Sequence, residues 1–323
     1  MHSTLRRAAL PVAALCAFAG PALADAPYRQ GLDEAWWTGP ILASGASTLP
    51  KGHALIEPYL YDAKPYGRLD GDGRRHGVAG EDNIGSQTYL LYGLADGFTA
   101  GFIPRFGYRH AGGRWSHGIG LGDLTAQGQV RLTQYQEGGH VPTVSLMVQE
   151  TLPTGRYDRL EGRPNDGFGG GAYSTTVDLN SQYHVWTPNG RILRTRLNVA
   201  WTRSGDAKLR DMSVYGTPTG FSGKAMPGDS VNVDLAFEYS ITRSWVAALD
   251  VGYQRDAATR VAGSVAGTPY VRRAPVSEAL LLAPAVEYNF NSRVGVIVGA
   301  RIVPAGRNAT ASATPVVAVN YVL

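Results

Sequence analysis

Apolar and polar residues alternate along much of this chain. Val231, Val233, Leu235, Phe237 and Tyr239 fall on one side of a run whose other side carries Ser230, Asn232, Asp234, Ala236 and Glu238. A period of two marks an extended strand with chemically different faces. The same division separates Leu193, Leu197, Val199 and Trp201 from Arg194, Arg196 and Asn198, and Ala126, Val130 and Leu132 from Thr125, Gln127, Gln129 and Arg131. It recurs with Val177, Leu179 and Val185 against Asp178, Asn180, Gln182 and His184, with Leu249, Val251 and Tyr253 against Asp250 and Gln254, and with Val294, Val296 and Val298 against Arg301. The pattern predicts strands near 52–62, 83–94, 97–108, 120–132, 141–152, 173–186, 191–202, 229–240, 244–255, 278–290, 293–303 and 310–323.

The connectors alternate in length. Short turns at Leu94–Asp96, Thr187–Gly190, Ile241–Arg243 and Asn291–Ser292 are separated by long stretches such as Asp62–Asp82, Pro153–Ala172, Arg203–Gly228 and Asp256–Ser277. That arrangement puts the tight turns at one end of an antiparallel sheet and the long loops at the other, as in outer-membrane barrels. The expected fold is therefore all-β, a transmembrane antiparallel up-and-down β-barrel of about 12 strands. An open sheet edge in lipid would strand backbone N–H and C=O groups at several kcal/mol each, so such a sheet has to close. Tyr92, Phe98, Tyr108, Trp186, Trp201, Tyr239, Trp245, Tyr253, Tyr288 and Phe290 lie near strand ends, where interfacial girdles form. The competing fold is a secreted β-sandwich or propeller, in which the apolar face is the core and the charged face the exterior. No period of 40–50 residues supports a propeller. The longest apolar run, Ala279 to Val286, contains Pro284 and is far too short for a spanning helix.

The N-terminus and composition narrow the setting. Arg6 and Arg7 precede an apolar run, and Ala22-Leu23-Ala24 places small residues where a signal peptidase reads, so residues 1–24 are expected to be a cleaved signal peptide. These arginines are the segment's only charges, and without them the net charge falls from +4 to +2. A nucleic-acid partner is not expected from so weak a balance. The single cysteine, Cys16, lies in the leader, so the exported chain depends on neither disulfides nor thiol chemistry. No cofactor or metal is expected.

Residues 25–50 precede the first strand of a barrel that spans 51–323. They contain Trp36-Trp37 and the uncharged stretch 39–50. The favoured reading is a periplasmic leader, with a plug entering the lumen as the alternative and anchoring of the tryptophans at the inner interface as a third role.

Certain phrases carry a family likeness. Thr38-Gly-Pro-Ile-Leu-Ala-Ser-Gly-Ala-Ser-Thr-Leu-Pro-Lys-Gly-His53, Ile56-Glu-Pro-Tyr-Leu-Tyr-Asp62, Tyr92-Gly-Leu-Ala-Asp-Gly-Phe98, Gly120-Leu-Gly-Asp-Leu124 and Leu152-Pro-Thr-Gly-Arg-Tyr-Asp158 resemble the bacterial family Putative MetA-pathway of phenol degradation, from about Thr38 to the C-terminus. The resemblance implies an outer-membrane barrel of transporter type, associated with aromatic degradation and without catalytic residues to carry over.

Candidate chemistry follows from parity. Arg131, Arg194, Arg196 and Arg301, with Asp178, Asp234, Glu238 and Asp250, are expected to line the lumen. They read either as a small-solute pore or as ion pairs that fill and stiffen a narrow barrel. The expected function is a passive channel for a small solute, aromatic or hydrophobic, in the outer membrane of a Gram-negative bacterium. The alternatives are a structural or surface-interaction barrel and a lipid hydrolase. Histidines 53, 76, 110, 117, 140 and 184 raise the hydrolase reading, but none shares an outer-rim strand face with a serine, so no catalytic residue is assigned. Partners are the membrane lipid, lipopolysaccharide phosphates near the charged loop Arg156–Asp166, and the assembly machinery that reads the terminal alternation Val317, Val319, Tyr321, Leu323. Gly167–Gly171 lacks the following helix that a phosphate loop needs.

Overall fold

The computed structural model describes residues 28–323. The expected signal peptide, Cys16 and residues 25–27 lie outside the described residues. Twelve barrel strands follow one another: β1 (Ala54–Leu69), β2 (Asp82–Ala95), β3 (Phe98–Ile103 continued by Arg105–Ala111), β4 (Leu124–Thr133), β5 (Thr143–Leu152), β6 (Ser174–Trp186), β7 (Ile192–Ser204), β8 (Ser230–Ser240), β9 (Trp245–Asp256), β10 (Ser277–Asn289), β11 (Val294–Arg307) and β12 (Thr310–Val322). Each pairs antiparallel with its sequence neighbour, and β1 pairs with both β2 and β12, so the sheet closes without a free edge.

Pro104 interrupts β3, because it has no N–H to give to the ladder. The stretches expected to be loops, Arg203–Gly228 and Asp256–Ser277, instead carry a second sheet of four short strands: Ala207–Arg210, Phe221–Met226, Thr259–Val265 and Thr268–Ala274. This sheet continues the wall of β7 to β10 beyond the barrel. Its inner face, Ala207, Leu209, Phe221, Ala225 and Val261 with Ala172, packs as a separate apolar core.

The faces separate by chemistry. Leu197 and Val298 are 45% and 58% exposed on the outer surface, whereas Glu238 and Asp250 inside are 0% exposed. A sandwich would require the reverse, so that alternative is ruled out. Along β9 the outward residues run from Trp245 to Tyr253. At about 3.3 Å per residue and about 40° tilt, this stretch covers roughly 23 Å, close to the apolar band of membrane barrels.

Trp245 packs against Tyr288 with ring centroids 4.7 Å apart, and Tyr288 against Phe290 at 4.9 Å, forming part of the expected girdle. Trp186 departs from it: its Nε1 donates to the Gln30 carbonyl at 2.8 Å, and the Arg29 guanidinium lies 4.0 Å from its ring centroid. Leu197, near the middle of the outward band of β7, gives a direct check of the facing. Leu197→Arg is expected to destabilise the barrel by about 2–4 kcal/mol in bilayer unfolding titrations, and a loss well under 1 kcal/mol would contradict it.

Candidate functional site: the barrel lumen

Inward parity gives the lumen two unlike walls. From β4 to β8 the inward residues are mostly amides, hydroxyls and charges, such as Gln129, Ser145, Asn180, Asn198 and Glu238. From β9 round to β2 much of the wall is small or apolar: Tyr59, Ala248, Ala285, Ile297, Val316 and Ala318 cluster, and Ile41, Tyr61 and Tyr89 pack on them.

The strongest electrostatic cluster belongs to the first wall. Arg194 and Glu238 are direct cross-strand partners, and Arg196 faces Ala236. The small Ala236 side chain leaves room for Arg196 to reach diagonally to Glu238. The Arg194 Nε donates to Glu238 Oε2 at 2.7 Å, its Nη2 donates to Oε1, and the Arg196 Nε donates to Oε2 at 2.9 Å. One buried carboxylate thus serves two guanidinium groups, and the carboxyl of Glu287 lies beside it.

Residues 30–51 run along these lumen-facing side chains. Gln30 donates to the Ser240 hydroxyl at 2.9 Å and accepts from the Ile192 N–H at 3.1 Å. The Thr38 N–H donates to Glu287 Oε2 at 2.6 Å, and the Ile41 and Ala43 N–H groups donate to the two oxygens of Asp250, each at 3.0 Å. The Arg196 Nη1 donates to the Ala43 carbonyl at 3.0 Å, Asn198 to Ser44 at 3.1 Å and Gln129 to Gly45 at 2.8 Å. The chain then turns back, with the Leu49 N–H donating to Thr99 at 2.8 Å and that of Lys51 to Asp96 at 3.2 Å. The stretch carries no regular structure beyond the short Leu32–Glu34 turn, and these contacts satisfy several of its backbone groups.

Two glycines make room for it. A Cβ at Gly295 would come within 2.0 Å of the Thr38 Oγ1, and one at Gly299 within 2.7 Å of the Ile41 Cδ1. The tryptophans also take cations: the Arg194 guanidinium lies 4.3 Å from the Trp37 ring and that of Arg243 4.6 Å from the Trp36 ring. At the entry to the segment, Glu34 accepts from the Gly31 N–H and from the Tyr28 hydroxyl, which hold its carboxyl below the usual range.

The eight residues expected in the lumen do not form one site. Arg194, Arg196, Glu238 and Asp250 meet the N-terminal stretch. Asp178, Asp234 and Arg301 face inward elsewhere, and among the described residues none has an oppositely charged group within 4.0 Å. Arg131 sits near the turn at Gly97, whose carbonyl accepts its N–H at 2.8 Å. Sequence reasoning missed Glu287 and Asn289, because the apolar run before them hides the alternation. Their parity with Ala283 and Ala285 was the available signal.

The outer mouth is built from packed loops. Asp123 accepts the N–H groups of Gly155 and Gly170 at 2.8 and 2.7 Å, tying two loops together. Asn165 donates to the carbonyls of Ala111 and Arg114 at 2.9 and 2.7 Å, and Asp166 accepts the His117 N–H at 2.7 Å. Part of the charged loop Arg156–Asp166 is therefore structural. Tyr215, pushed up to about 12 by burial, keeps its proton and donates to the Gly170 carbonyl at 2.6 Å. Beneath these loops is a cavity of about 510 Å³, lined in part by Ala63, Pro65, Asn83, Arg109, Val214 and Ser312. Among the histidines, His76 bonds Asp70 at 2.7 Å and His110 packs on Trp115 with centroids 4.7 Å apart.

A family model described as Putative MetA-pathway of phenol degradation matches residues 71–315. The match begins after the Thr38–Asp62 phrases. The chain is similar to the crystal structure of the COG4313 outer membrane channel from Pseudomonas putida F1, with a TM-score of 0.67, 16% identity, and coverage of 88% of this chain and 100% of that one. The beta domain of the Bordetella autotransporter BrkA gives a TM-score of 0.44 at 11% identity, covering 84% of this chain and 100% of that one. The Pseudomonas putida toluene transporter TodX gives 0.39 at 12%, covering 91% and 95%. The first likeness establishes the barrel fold. No curated protein matches the chain.

Proposed function

We propose, from the premise that this chain belongs to the family Putative MetA-pathway of phenol degradation, that it is a passive channel for a small hydrophobic or aromatic solute in the outer membrane of a Gram-negative bacterium, with residues 28–50 acting as its constriction and not as a free leader. The observation that carries the reading is the pairing of two unlike lumen walls with a chain segment laid between them. The segment is held from both sides, by Arg196, Asn198 and Gln129 on the polar wall and by Asp250 and Glu287 on β9 and β10, and its Ile41 packs on the buried cluster of Tyr59, Ile297 and Val316. Selectivity then follows from the width left beside the segment and from the Arg194–Glu238–Arg196 cluster.

The mouth cavity of about 510 Å³ is large enough to receive such a solute, since an apolar cavity of about 150 Å³ already holds benzene. No covalent step is assigned, and the eight lumen residues act through charge and shape.

The test is permeation into liposomes carrying the purified protein, comparing phenol-sized aromatic probes with sugars of similar mass after correction for leakage through the lipid. The channel passes the aromatic probes faster. No protein-dependent flux of either, together with silent planar bilayers, would favour a structural barrel, and turnover of phospholipid would favour a hydrolase.

A further inference from the structure

The outer face of the four-stranded sheet above β7 to β10 has no assigned role. Lys208 lies directly opposite Lys224, and Arg260 directly opposite Arg273. These four, with Arg210, are exposed on the face away from the apolar core of that sheet. Arg272, of the other parity, turns to the mouth and donates to the Gly216 carbonyl at 3.0 Å. Like charges placed directly opposite destabilise a sheet unless an anion comes between them. Asp206 takes Lys224 at 2.7 Å, and among the described residues no carboxylate lies within 4.0 Å of Lys208, Arg210, Arg260 or Arg273.

The position of this patch selects its partner. The same wall carries Trp201 and Tyr253 at the upper edge of the lipid-facing band, with Arg203 and Arg255 two residues further along β7 and β9. The cations therefore begin where acyl chains end and phosphorylated headgroups start. On the β1–β2 side Lys64 and Arg74 are already matched, Lys64 lying 3.0 Å from Asp62 and 3.2 Å from Asp82 and Arg74 3.3 Å from Asp72, while the exposed Arg68 and Arg75 have no carboxylate within 4.0 Å among the described residues.

We propose that the outward face of Ala207–Arg210, Phe221–Met226, Thr259–Val265 and Thr268–Ala274 binds the phosphates of lipopolysaccharide in the outer leaflet. Arginine and lysine make short, charge-assisted hydrogen bonds to phosphate oxygens, while the acyl chains lie against Val251, Tyr253 and Leu280 below.

The experiment measures binding of deep-rough lipopolysaccharide, and of the same glycolipid after phosphatase treatment, to the full protein in nanodiscs. Combined Lys208→Gln, Arg260→Gln and Arg273→Gln is expected to weaken binding roughly tenfold or more, since each 1.4 kcal/mol is a factor of ten. Lys64→Gln with Arg74→Gln leaves it unchanged, and the phosphatase-treated glycolipid binds the unaltered protein as weakly as the triple variant binds the intact one. Equal binding by the triple variant, equal binding of the phosphatase-treated glycolipid, or an equal loss in the control pair would overturn the proposal. Heat-modifiable gel migration verifies that each variant folds. If the triple variant does not fold, salt titration of the unaltered protein decides: affinity falls with ionic strength, and salt-independent binding overturns the proposal.

Discussion

Deleting residues 28–48 is expected to raise single-channel conductance severalfold. Twelve strands about 4.8 Å apart, tilted by about 40°, close on a backbone circle roughly 24 Å across. Inward side chains take up much of that width, and one extended peptide crossing it occupies a large share of what remains. Its removal also frees Asp250 and Glu287, which otherwise accept the N–H groups of Ile41, Ala43 and Thr38. The widened pore should therefore pass cations more readily than the unaltered one. Planar-bilayer recording with reversal potentials in a salt gradient checks both effects, and unchanged conductance would show that the stretch does not narrow the path.

The second large effect concerns stability. Glu238→Ala leaves the Arg194 and Arg196 guanidinium groups, 8% and 7% exposed, without the carboxylate that both of them bond. Breaking a buried ion pair by removing one partner typically costs about 3–5 kcal/mol, whereas replacing all of its charges with apolar groups of similar size is often nearly neutral. Glu238→Ala should therefore unfold at markedly lower denaturant than Glu238→Leu combined with Arg194→Met and Arg196→Met. Urea titration of the barrel in bilayers, followed by tryptophan emission, compares them. Equal midpoints would mean that the cluster is hydrated and its charges are screened.

The barrel was legible because lipid imposes one chemistry on every second residue. On β7, Leu197 and Val199 face out and Arg196 and Asn198 face in, so parity alone assigns each side chain its surface. The outer sheet was not legible. Its strands are only four to seven residues long, and Gly216, Gly220 and Pro218 between them read as loop punctuation. The contacts of residues 30–51 were hidden for a different reason. The segment is held mainly through its own backbone N–H and C=O groups, which have no expression in side-chain pattern, and its partners Glu287 and Asp250 lie more than two hundred residues away in sequence. For the lumen charges, parity is silent on height along the barrel. It could not separate Arg194, Arg196 and Glu238, which meet, from Arg301 and Asp178, which do not.

The most direct measurement is a cross-link between the segment and the barrel wall. With Cys16→Ser removing the only natural cysteine, Thr38→Cys and Gly295→Cys place two thiols where the Thr38 hydroxyl and a Gly295 Cβ would otherwise collide. Mild oxidation of the membrane-embedded protein is expected to join them in nearly every molecule and to leave its small conductance unaltered. Two thiols that stay free, both open to a bulky water-soluble maleimide, would place residue 38 outside the lumen and contradict that expectation.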